Sequence, residues 1–318
     1  MNQILSEVKF VVDNSEHVKI NSNYIKILAN NFSLKDKVTW TAILPFKPQN
    51  LTKNERIAFN FVFNAINFSY WGNPKWAIKY QGKELDGSWA MIASIHRAIE
   101  EGYDILNPKY LINLNEEELN HIFRGNIEIP LFNERLKILK KLGKIVCLEF
   151  NNDFENVLKK SNYDCEKLLN VITSKFDFFN DYSTYKNKTI HFHKRAQLLI
   201  GDIYEILHKF KEEIIKNIDF LTAFADYKIP QILRKINVLK YSEELEKLID
   251  NKTELEFGNS MEVEIRSNMI WAIELIKKEI NKKFPNVNSM DIDHYLWILS
   301  QDKNKDDKPY HLTRTIFY

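Results

Sequence analysis

The sequence predicts a mostly α-helical protein with a small β-hairpin element, folded as a single domain over residues 1–318. Apolar residues recur at helical spacing through most of the chain. The chain contains only 8 Gly and 8 Pro among 318 residues, which favours few loops, and no linker or repeat divides it. With 44% hydrophobic and 28% charged residues, it can bury a core beneath a solvated surface.

Start and stop signals place the first elements. A capping box in "LTKNE" (51–55) precedes a run at 57–68 that is apolar on every side, which predicts a helix buried in the domain centre. Two β-rich pieces within 75–85 flank Gln81 and Gly82, a pattern typical of a hairpin.

The rest of the chain is predicted to be helical, apart from a short strand at 189–193. Asp226 falls in an apolar pattern taken as helical, and Pro230 is expected in the first turn of the next helix. The predicted helices lie within 89–102, 115–125, 130–150, 194–210, 230–236, 242–250, 261–284 and 289–301.

The charge balance argues against a nucleic acid as the main partner. The 45 basic and 43 acidic side chains leave a formal net charge of +2. Duplex-binding proteins usually carry a clear basic excess, because phosphate neutralisation dominates their affinity. A local basic pocket for a single phosphate is compatible with this balance.

Cysteine usage and the N-terminus indicate the cellular context. Cys147 and Cys165 are the only cysteines, and they form no CxxC pair, which favours a reduced compartment. The N-terminal "MNQILSEVKFVV" lacks the features of a secretory signal. No apolar run is long enough to cross a bilayer. We expect a soluble cytoplasmic protein with no membrane partner.

The common cofactor motifs are absent. The sequence contains no glycine-rich phosphate loop and no GxSxG elbow. His191 and His193 are spaced to share one face of a strand, but no third ligand lies at a diagnostic distance. We therefore predict neither a metal site nor an organic cofactor.

Carboxylates within apolar segments are the sharper signal. Asp202, Asp226 and Asp293 each lie in such a segment, and burying a carboxylate costs several kcal/mol unless something needs its charge. Each could cap a helix or pair with a base, and Asp226 could cap the helix near Pro230. The alternative is an acidic, aromatic-lined pocket that uses the charge.

Seven segments, in this order and with the closing "RTIFY", resemble the queuosine salvage protein family, the queuosine 5′-monophosphate N-glycosylases. The resemblance begins near Asn67, runs to Tyr318 and is weak in the preceding N-terminal part. The segments are "NFSYW" (67–71), "GSWAMIASIHRAIEEG" (87–102), "IPLFNERLKIL" (129–139), "HKRAQLLIGDIY" (193–204), "FADYKIPQIL" (224–233), "MEVEIRSNMIWAIELI" (261–276) and "DHYLW" (293–297).

The resemblance implies a helical fold related to helix-hairpin-helix DNA glycosylases. It implies hydrolysis of queuosine 5′-monophosphate, a small-molecule substrate, to release the 7-deazaguanine base queuine for reuse in transfer RNA. No cofactor is implied, and we expect a monomer.

The resemblance also assigns roles to residues. Asp226 matches the catalytic carboxylate, Phe224 an aromatic that packs on the base, and Asp293 a carboxylate that contacts the base. Tyr227 and His294, beside them in the matching segments, are assigned to substrate binding.

The physical chemistry of the residues agrees with the role of Asp226. Breaking an N-glycosidic bond builds positive charge on the ribose, and a fixed carboxylate about 4 Å away at an effective dielectric near 20 offers roughly 4 kcal/mol of attraction. That is about a thousandfold in rate if it acts only in the transition state. The carboxylate could equally attack the sugar or orient water.

Neighbouring residues supply the other contacts that such a substrate needs. Phe224, Tyr295 and Trp297 could sandwich the flat base, while Asp293 could accept hydrogen bonds from its N1–H and exocyclic amine. A 7-deazapurine has no N7 to protonate, so its departure depends on bonds to its other edges. Lys194 and Arg195 are candidates for the 5′-phosphate.

Three positions depart from the family pattern. Relatives carry a histidine, a tyrosine and an aspartate where this chain has Leu44, His294 and Ile298. Three alternatives therefore stay open: a glycosylase acting on another deazapurine nucleotide, a glycosylase acting on a base in DNA or RNA, and a non-catalytic nucleoside-binding module.

Overall fold

Helices form most of the structure, a computed structural model that describes residues 2–36, 38–211, 214–302 and 307–318. The helices are α1 (Gln3–Asp13), α2 (Ser22–Asn31), α3 (Lys53–Ala65), α4 (Gly87–Glu100), α5 (Pro108–Asn113), α6 (Glu116–Ile122), α7 (Phe132–Glu149), α8 (Glu155–Lys160), α9 (Cys165–Lys175), α10 (Lys194–Phe210), α11 (Lys228–Lys235), α12 (Glu243–Asp250), α13 (Ser260–Ile280) and α14 (Ser289–Leu299). The mostly helical class is confirmed.

Among the residues that the structure describes, the strands form three separate antiparallel pairs. They are β1 (Val18–Ile20), β2 (Ala77–Tyr80), β3 (Lys83–Asp86), β4 (Tyr182–Tyr185), β5 (Lys188–His191) and β6 (Leu239–Tyr241). The predicted β2–β3 hairpin is confirmed, and its turn residues Gln81 and Gly82 have φ of 48° and 76°. The short strand predicted at 189–193 is β5, which pairs with β4, while β1 pairs with the distant β6. Neither β4 nor the β1–β6 pair was predicted.

Helix α3 is buried as predicted and packs against α7 and α10. Its capping box is formed, because the Thr52 N–H donates to Glu55 Oε2 at 2.8 Å and the Glu55 N–H donates to Thr52 Oγ1 at 3.4 Å. Phe61, Val62 and Phe63 are almost completely buried. The apolar run on all sides of this helix therefore marks a central element of the core.

Helix α13 packs against α1, α2, α11 and α14. The carboxylate of Glu264, at 1% exposure, accepts hydrogen bonds from the N–H groups of Glu16, His17 and Val18, the shortest 2.7 Å long. It also accepts the Tyr185 hydroxyl at 2.9 Å. This carboxylate ties the N-terminal segment to the first turns of α13.

The helical interpretation of the segment around Asp226 is wrong. Residues 221–227 are not helical, and α11 begins at Lys228, so that Pro230 is its third residue. Asp226 Oδ1 accepts the N–H groups of Lys228 and Ile229 at 2.8 and 2.9 Å. The first N–H groups of a helix have no carbonyl acceptor within the helix, and here the carboxylate of Asp226 accepts two of them. The prediction that Asp226 could cap this helix is therefore confirmed.

No helix in the described parts of the chain combines the length and apolar character needed to span a membrane.

Candidate active site

A cavity of about 1070 Å³ of empty space lies where α4, α10 and α11 begin and where α14 passes. Part of this space is open to solvent. Its lining residues are Phe63, Asn67, Phe68, Tyr70, Trp71, Lys75, Asp86, Gly87, Ser88, Trp89, Lys194, Leu198, Phe224, Asp226, Tyr227, Lys228, Asp293, His294, Trp297, Gln301, Tyr310 and Tyr318.

Aromatic rings form much of the cavity wall. Trp297 meets Trp89 edge to face with ring centroids 5.2 Å apart. Tyr227 lies 4.7 Å from Tyr310, measured between ring centroids. Aromatic side chains combine a large apolar surface with a defined orientation, so walls of this kind suit a flat heteroaromatic ligand.

Asp226 presents one carboxylate oxygen to the cavity. Oδ1 accepts the two N–H groups at the start of α11, while Oδ2 receives no hydrogen bond from a residue that the structure describes. The Asp226 side chain is half-buried, and its exposed part forms wall of the cavity. Its deep position raises the pKa of Asp226, and the charge of Lys194 opposes this most strongly.

Lys194 is a buried cation facing the same cavity. It is 6% exposed, and within the described ranges its ammonium group makes no hydrogen bond or ion pair. Burial lowers the pKa of Lys194, while Asp226 and Asp293 raise it. A buried, unpaired ammonium group is costly, so a positive charge here implies an electrostatic role towards Asp226, Asp293 or a ligand.

Asp293 is the second carboxylate of the cavity. Its Oδ2 accepts the Phe224 N–H at 2.8 Å, which fixes the ring of Phe224 at the wall. Burial raises the pKa of Asp293 well above its ordinary value, and the nearby charge of Asp226 raises it further. Two carboxyl groups in one low-dielectric space resist double ionisation, so the neutral form is favoured at Asp293.

His294 adds a polar group without a partner. The imidazole is 5% exposed, and among the described residues its Nε2 is buried with no hydrogen-bond partner. Its ring lies 6.2 Å from that of Phe224, between centroids. Burial lowers the pKa of His294 to about 4. The ring is therefore neutral at physiological pH, and no described residue uses the hydrogen-bonding capacity of its covered Nε2.

Two predicted contacts do not reach the cavity. The guanidinium of Arg195 is 1% exposed and donates to the carbonyls of Asn64, Ala65 and Phe178. Arg195 is thus unsuited to binding phosphate. Tyr295 packs edge to face on Phe32 at 5.3 Å, between centroids. Consecutive residues of a helix point about 100° apart. Arg195 and Tyr295 therefore point away from the cavity that their neighbours Lys194 and His294 line.

The remaining positions discussed for chemistry lie elsewhere. Leu44 and Ile298 do not line the cavity. His191 Nδ1 is 2.9 Å from Glu7 Oε2, and the buried Nδ1 of His193 has no partner in the described structure. Within the described ranges, no group of three His, Cys, Asp or Glu side chains gathers as metal ligands would.

Sequence reasoning missed several lining residues. Trp71 and Trp89 lie in segments that resemble the family, so their position gave a usable signal. Lys228 lies in such a segment too, whereas Lys75 and Tyr310 had no such signal, because only the fold brings them to the same site.

The fold and the cavity define a helical protein with an aromatic-walled site that holds both carboxylates and lysines and suits a flat polar small molecule. The chain belongs to the queuosine salvage protein family, whose model matches residues 46–318.

Named relatives agree over nearly the whole chain. The protein is 32% identical to the queuosine 5′-phosphate N-glycosylase/hydrolase of Sphaerobacter thermophilus, across 99% of this chain and 97% of that protein. It is 34% identical to the protein of the same name from Bos taurus, across 98% and 97%. Identity to the Nematostella vectensis protein of that name is 37%, across 85% and 84%. The first alignment extends further into the N-terminal region than the seven segments predicted.

Proposed function

We propose that this protein hydrolyses the N-glycosidic bond of queuosine 5′-phosphate, releasing queuine and ribose 5-phosphate. The supporting observation is the Asp226 carboxylate at the wall of an aromatic cavity, where Oδ2 receives no hydrogen bond from any described residue and the Lys194 ammonium lies in the same space. The names of the relatives agree with this reaction.

In the proposed reaction, the bond between the sugar C1′ and the base nitrogen breaks, and its electron pair leaves with the base. Asp226 stabilises the positive charge that develops at C1′, because its anion is fixed before the reaction begins. Water then supplies the hydroxyl group at C1′, and the proton that it loses ends on the departed base, directly or by restoring an Asp293 carboxyl group that has protonated the base. Covalent attack by Asp226 on C1′ is the alternative route to the same products.

Lys194 has two effects in this proposal. Its positive charge opposes the rise in the pKa of Asp226 caused by burial, and so favours the anion that the reaction needs. The same charge attracts the electron pair that moves onto the departing base. We retain Lys194 as a substrate-binding residue on this basis.

The base is proposed to bind among Phe224, His294, Trp297 and Asp293. The rings of Phe224 and Trp297 stack on it, while His294 Nε2 forms a hydrogen bond to its edge. Asp293, favoured in the neutral form, can donate its carboxyl proton to an acceptor on the base and so assist a leaving group that lacks N7.

The 5′-phosphate is proposed to bind near Lys75, Lys228 and the start of α4. Lys75 and Lys228 line the cavity, as do Gly87 and Ser88, the first two residues of α4. The first N–H groups of a helix have no intrahelical acceptor and attract anions. Tyr227, beside Lys228, is placed against the sugar.

The activity is tested by incubating purified protein with queuosine 5′-monophosphate and detecting queuine and ribose 5-phosphate by mass spectrometry. A panel containing the free nucleoside, the 3′-monophosphate and another 7-deazapurine nucleotide distinguishes the substrate class. Release of no base from any of them, under conditions in which the protein is folded, would contradict the proposal.

We also propose that the chain acts as a single-domain monomer in the cytoplasm, on a scaffold related to helix-hairpin-helix DNA glycosylases. The free Cys147 and Cys165 are compatible with a reduced compartment, and the family resemblance supports the scaffold. Light scattering tests the oligomeric state, and superposition on solved glycosylases tests the fold relationship.

A further inference from the structure

A buried ion pair lies behind the cavity. Arg266 of α13 is 0% exposed and Asp181 is 1% exposed. Arg266 Nη1 lies 3.1 Å from Asp181 Oδ1 and Nη2 lies 2.5 Å from Oδ2. The contact is therefore bidentate, the geometry that fixes a guanidinium and a carboxylate most firmly.

Each member of this pair also binds the backbone of a segment that forms the cavity. Asp181 Oδ2 accepts the backbone N–H of Lys194 at 3.2 Å. Arg266 Nε donates to the carbonyl of Ala225, immediately before Asp226, at 3.2 Å. One ion pair thus joins the backbones that carry the proposed catalytic anion and its neighbouring cation.

The connection at Lys194 has a second support. The backbone carbonyl of Asp181 accepts the N–H groups of Phe192 and His193 at 2.9 and 3.1 Å. His193 has a left-handed φ of 48°, a conformation that a non-glycine residue adopts at some cost. These bonds fix the turn from which α10 starts and hence the direction in which Lys194 leaves the backbone.

The guanidinium is held from the sides as well. It lies over the rings of Phe192 and Tyr318, 3.9 and 4.4 Å from their centroids. Arg266 Nη1 also lies 3.4 Å from Glu262 Oε1, which accepts the Tyr318 hydroxyl at 2.8 Å. Since Tyr318 lines the cavity, Arg266 contacts the backbone and one wall of the same site.

Stability alone does not account for this arrangement, because a buried ion pair often stabilises a fold no better than well-packed apolar residues. We propose that Arg266 and Asp181 are positioning residues that set the separation and orientation of Asp226 and Lys194. The inference rests on the proposed function for its kinetic consequence, but its structural content is independent of turnover.

The test compares Arg266→Lys and Asp181→Asn with matched variants of a second Arg–Asp pair. Arg234 is 8% exposed and bonds Asp250 at 3.0 Å, outside the cavity lining. Arg234→Lys and Asp250→Asn therefore make the same chemical changes away from the site. Steady-state kinetics and amide hydrogen exchange are measured for all four variants and the wild type.

We expect both site variants to lose about a hundredfold in kcat, as a displacement of about 1 Å can cause, with KM changing less than threefold. Exchange should accelerate in both 191–195 and 222–227. The control variants should keep kcat within about twofold of wild type, even where their Tm falls as far as the Tm of the site variants. Asp181→Asn keeps the test decisive if Arg266→Lys does not fold.

Unchanged exchange in the two segments, or a kcat loss that follows Tm equally in site and control variants, would overturn the positioning role. A wild-type protein without turnover overturns the proposed function alone. The exchange data then still decide whether Arg266 and Asp181 position the two segments.

Discussion

Replacing Asp226 by asparagine removes one charge and preserves the shape of the side chain. In the wild type, Oδ1 accepts the N–H groups of Lys228 and Ile229 at 2.8 and 2.9 Å. The asparagine Oδ1 can accept the same two groups, so the conformation at the start of α11 should be preserved. The other oxygen, which faces the cavity in the wild type, becomes a neutral amide nitrogen. The variant therefore isolates the negative charge from the structure that holds it.

The expected effect follows from the attraction between this charge and the sugar. At about 4 Å and an effective dielectric near 20, the attraction to a full positive charge is roughly 4 kcal/mol. Because the charge develops only in the transition state, nearly all of this energy appears in kcat, which should fall about a thousandfold. KM should change little, since the base and phosphate contacts remain.

The assay is initial-rate release of queuine from queuosine 5′-monophosphate, followed by mass spectrometry across a pH series. Asp164→Asn is the matched control, because Asp164 also caps a helix, accepting the Lys167 N–H at 3.1 Å, and does not line the cavity. It should keep wild-type kcat. A folded Asp226→Asn protein with kcat within tenfold of wild type would refute the electrostatic role.

Three further predictions concern the same cavity. Burial raises the pKa of Asp226 in the folded protein above its ordinary value of 3.8, so the ionised side chain destabilises the fold at pH values above 3.8. Asp226→Asn should therefore raise Tm at neutral pH, and this gain in Tm should vanish when the pH is lowered below 3.8. Lys194→Met removes the cation that opposes this rise, so the acid limb of the kcat profile should move to higher pH, whereas Lys194→Arg should leave it near its original position. His294→Phe removes a ligand hydrogen bond worth about 1–3 kcal/mol, so kcat/KM should fall about fivefold or more. The fall should be equal at all pH values between about 5 and 8, because the imidazole is already neutral there. An unchanged kcat/KM would show that Nε2 does not contact the substrate.

Local signals predicted the parts of the fold that a few neighbouring residues decide. The capping box at Thr52 and the turn at Gln81 and Gly82 both follow the sequence. In each case a side chain or the absence of one determines the backbone conformation directly. Tertiary contacts reinforce these choices without changing them.

Distant contacts decided what could not be predicted. Strand β1 pairs with β6, and the paired residues Val18 and Tyr241 are separated by most of the sequence. No turn signal in the sequence can therefore indicate this pairing. The helical pattern before Pro230 failed because the Phe224 N–H bonds a carboxylate on α14 instead of a helical carbonyl. Propensity gave way to a side chain more than sixty residues away in sequence.

The candidate site shows the same division. Residues 293, 294 and 297 line one cavity, and helical spacing explains why, since positions three and four apart share one face. Arg195 and Tyr295 were misplaced because adjacency in sequence was taken for adjacency in space. The roles of the lining residues stay predictions until the variants are measured.

The hydrogen bonds of Glu264 limit how many residues can be removed from the N-terminus of the protein. A chain started at residue 21 would still contain the whole region matched by the family model, 46–318, but it would lack the three amides that meet this carboxylate. Stranding such an anion in the interior costs about 3–5 kcal/mol, a large part of the stability of an ordinary domain. The damage would begin two positions from Arg266, so trimming residues remote from the cavity should impair folding and turnover together.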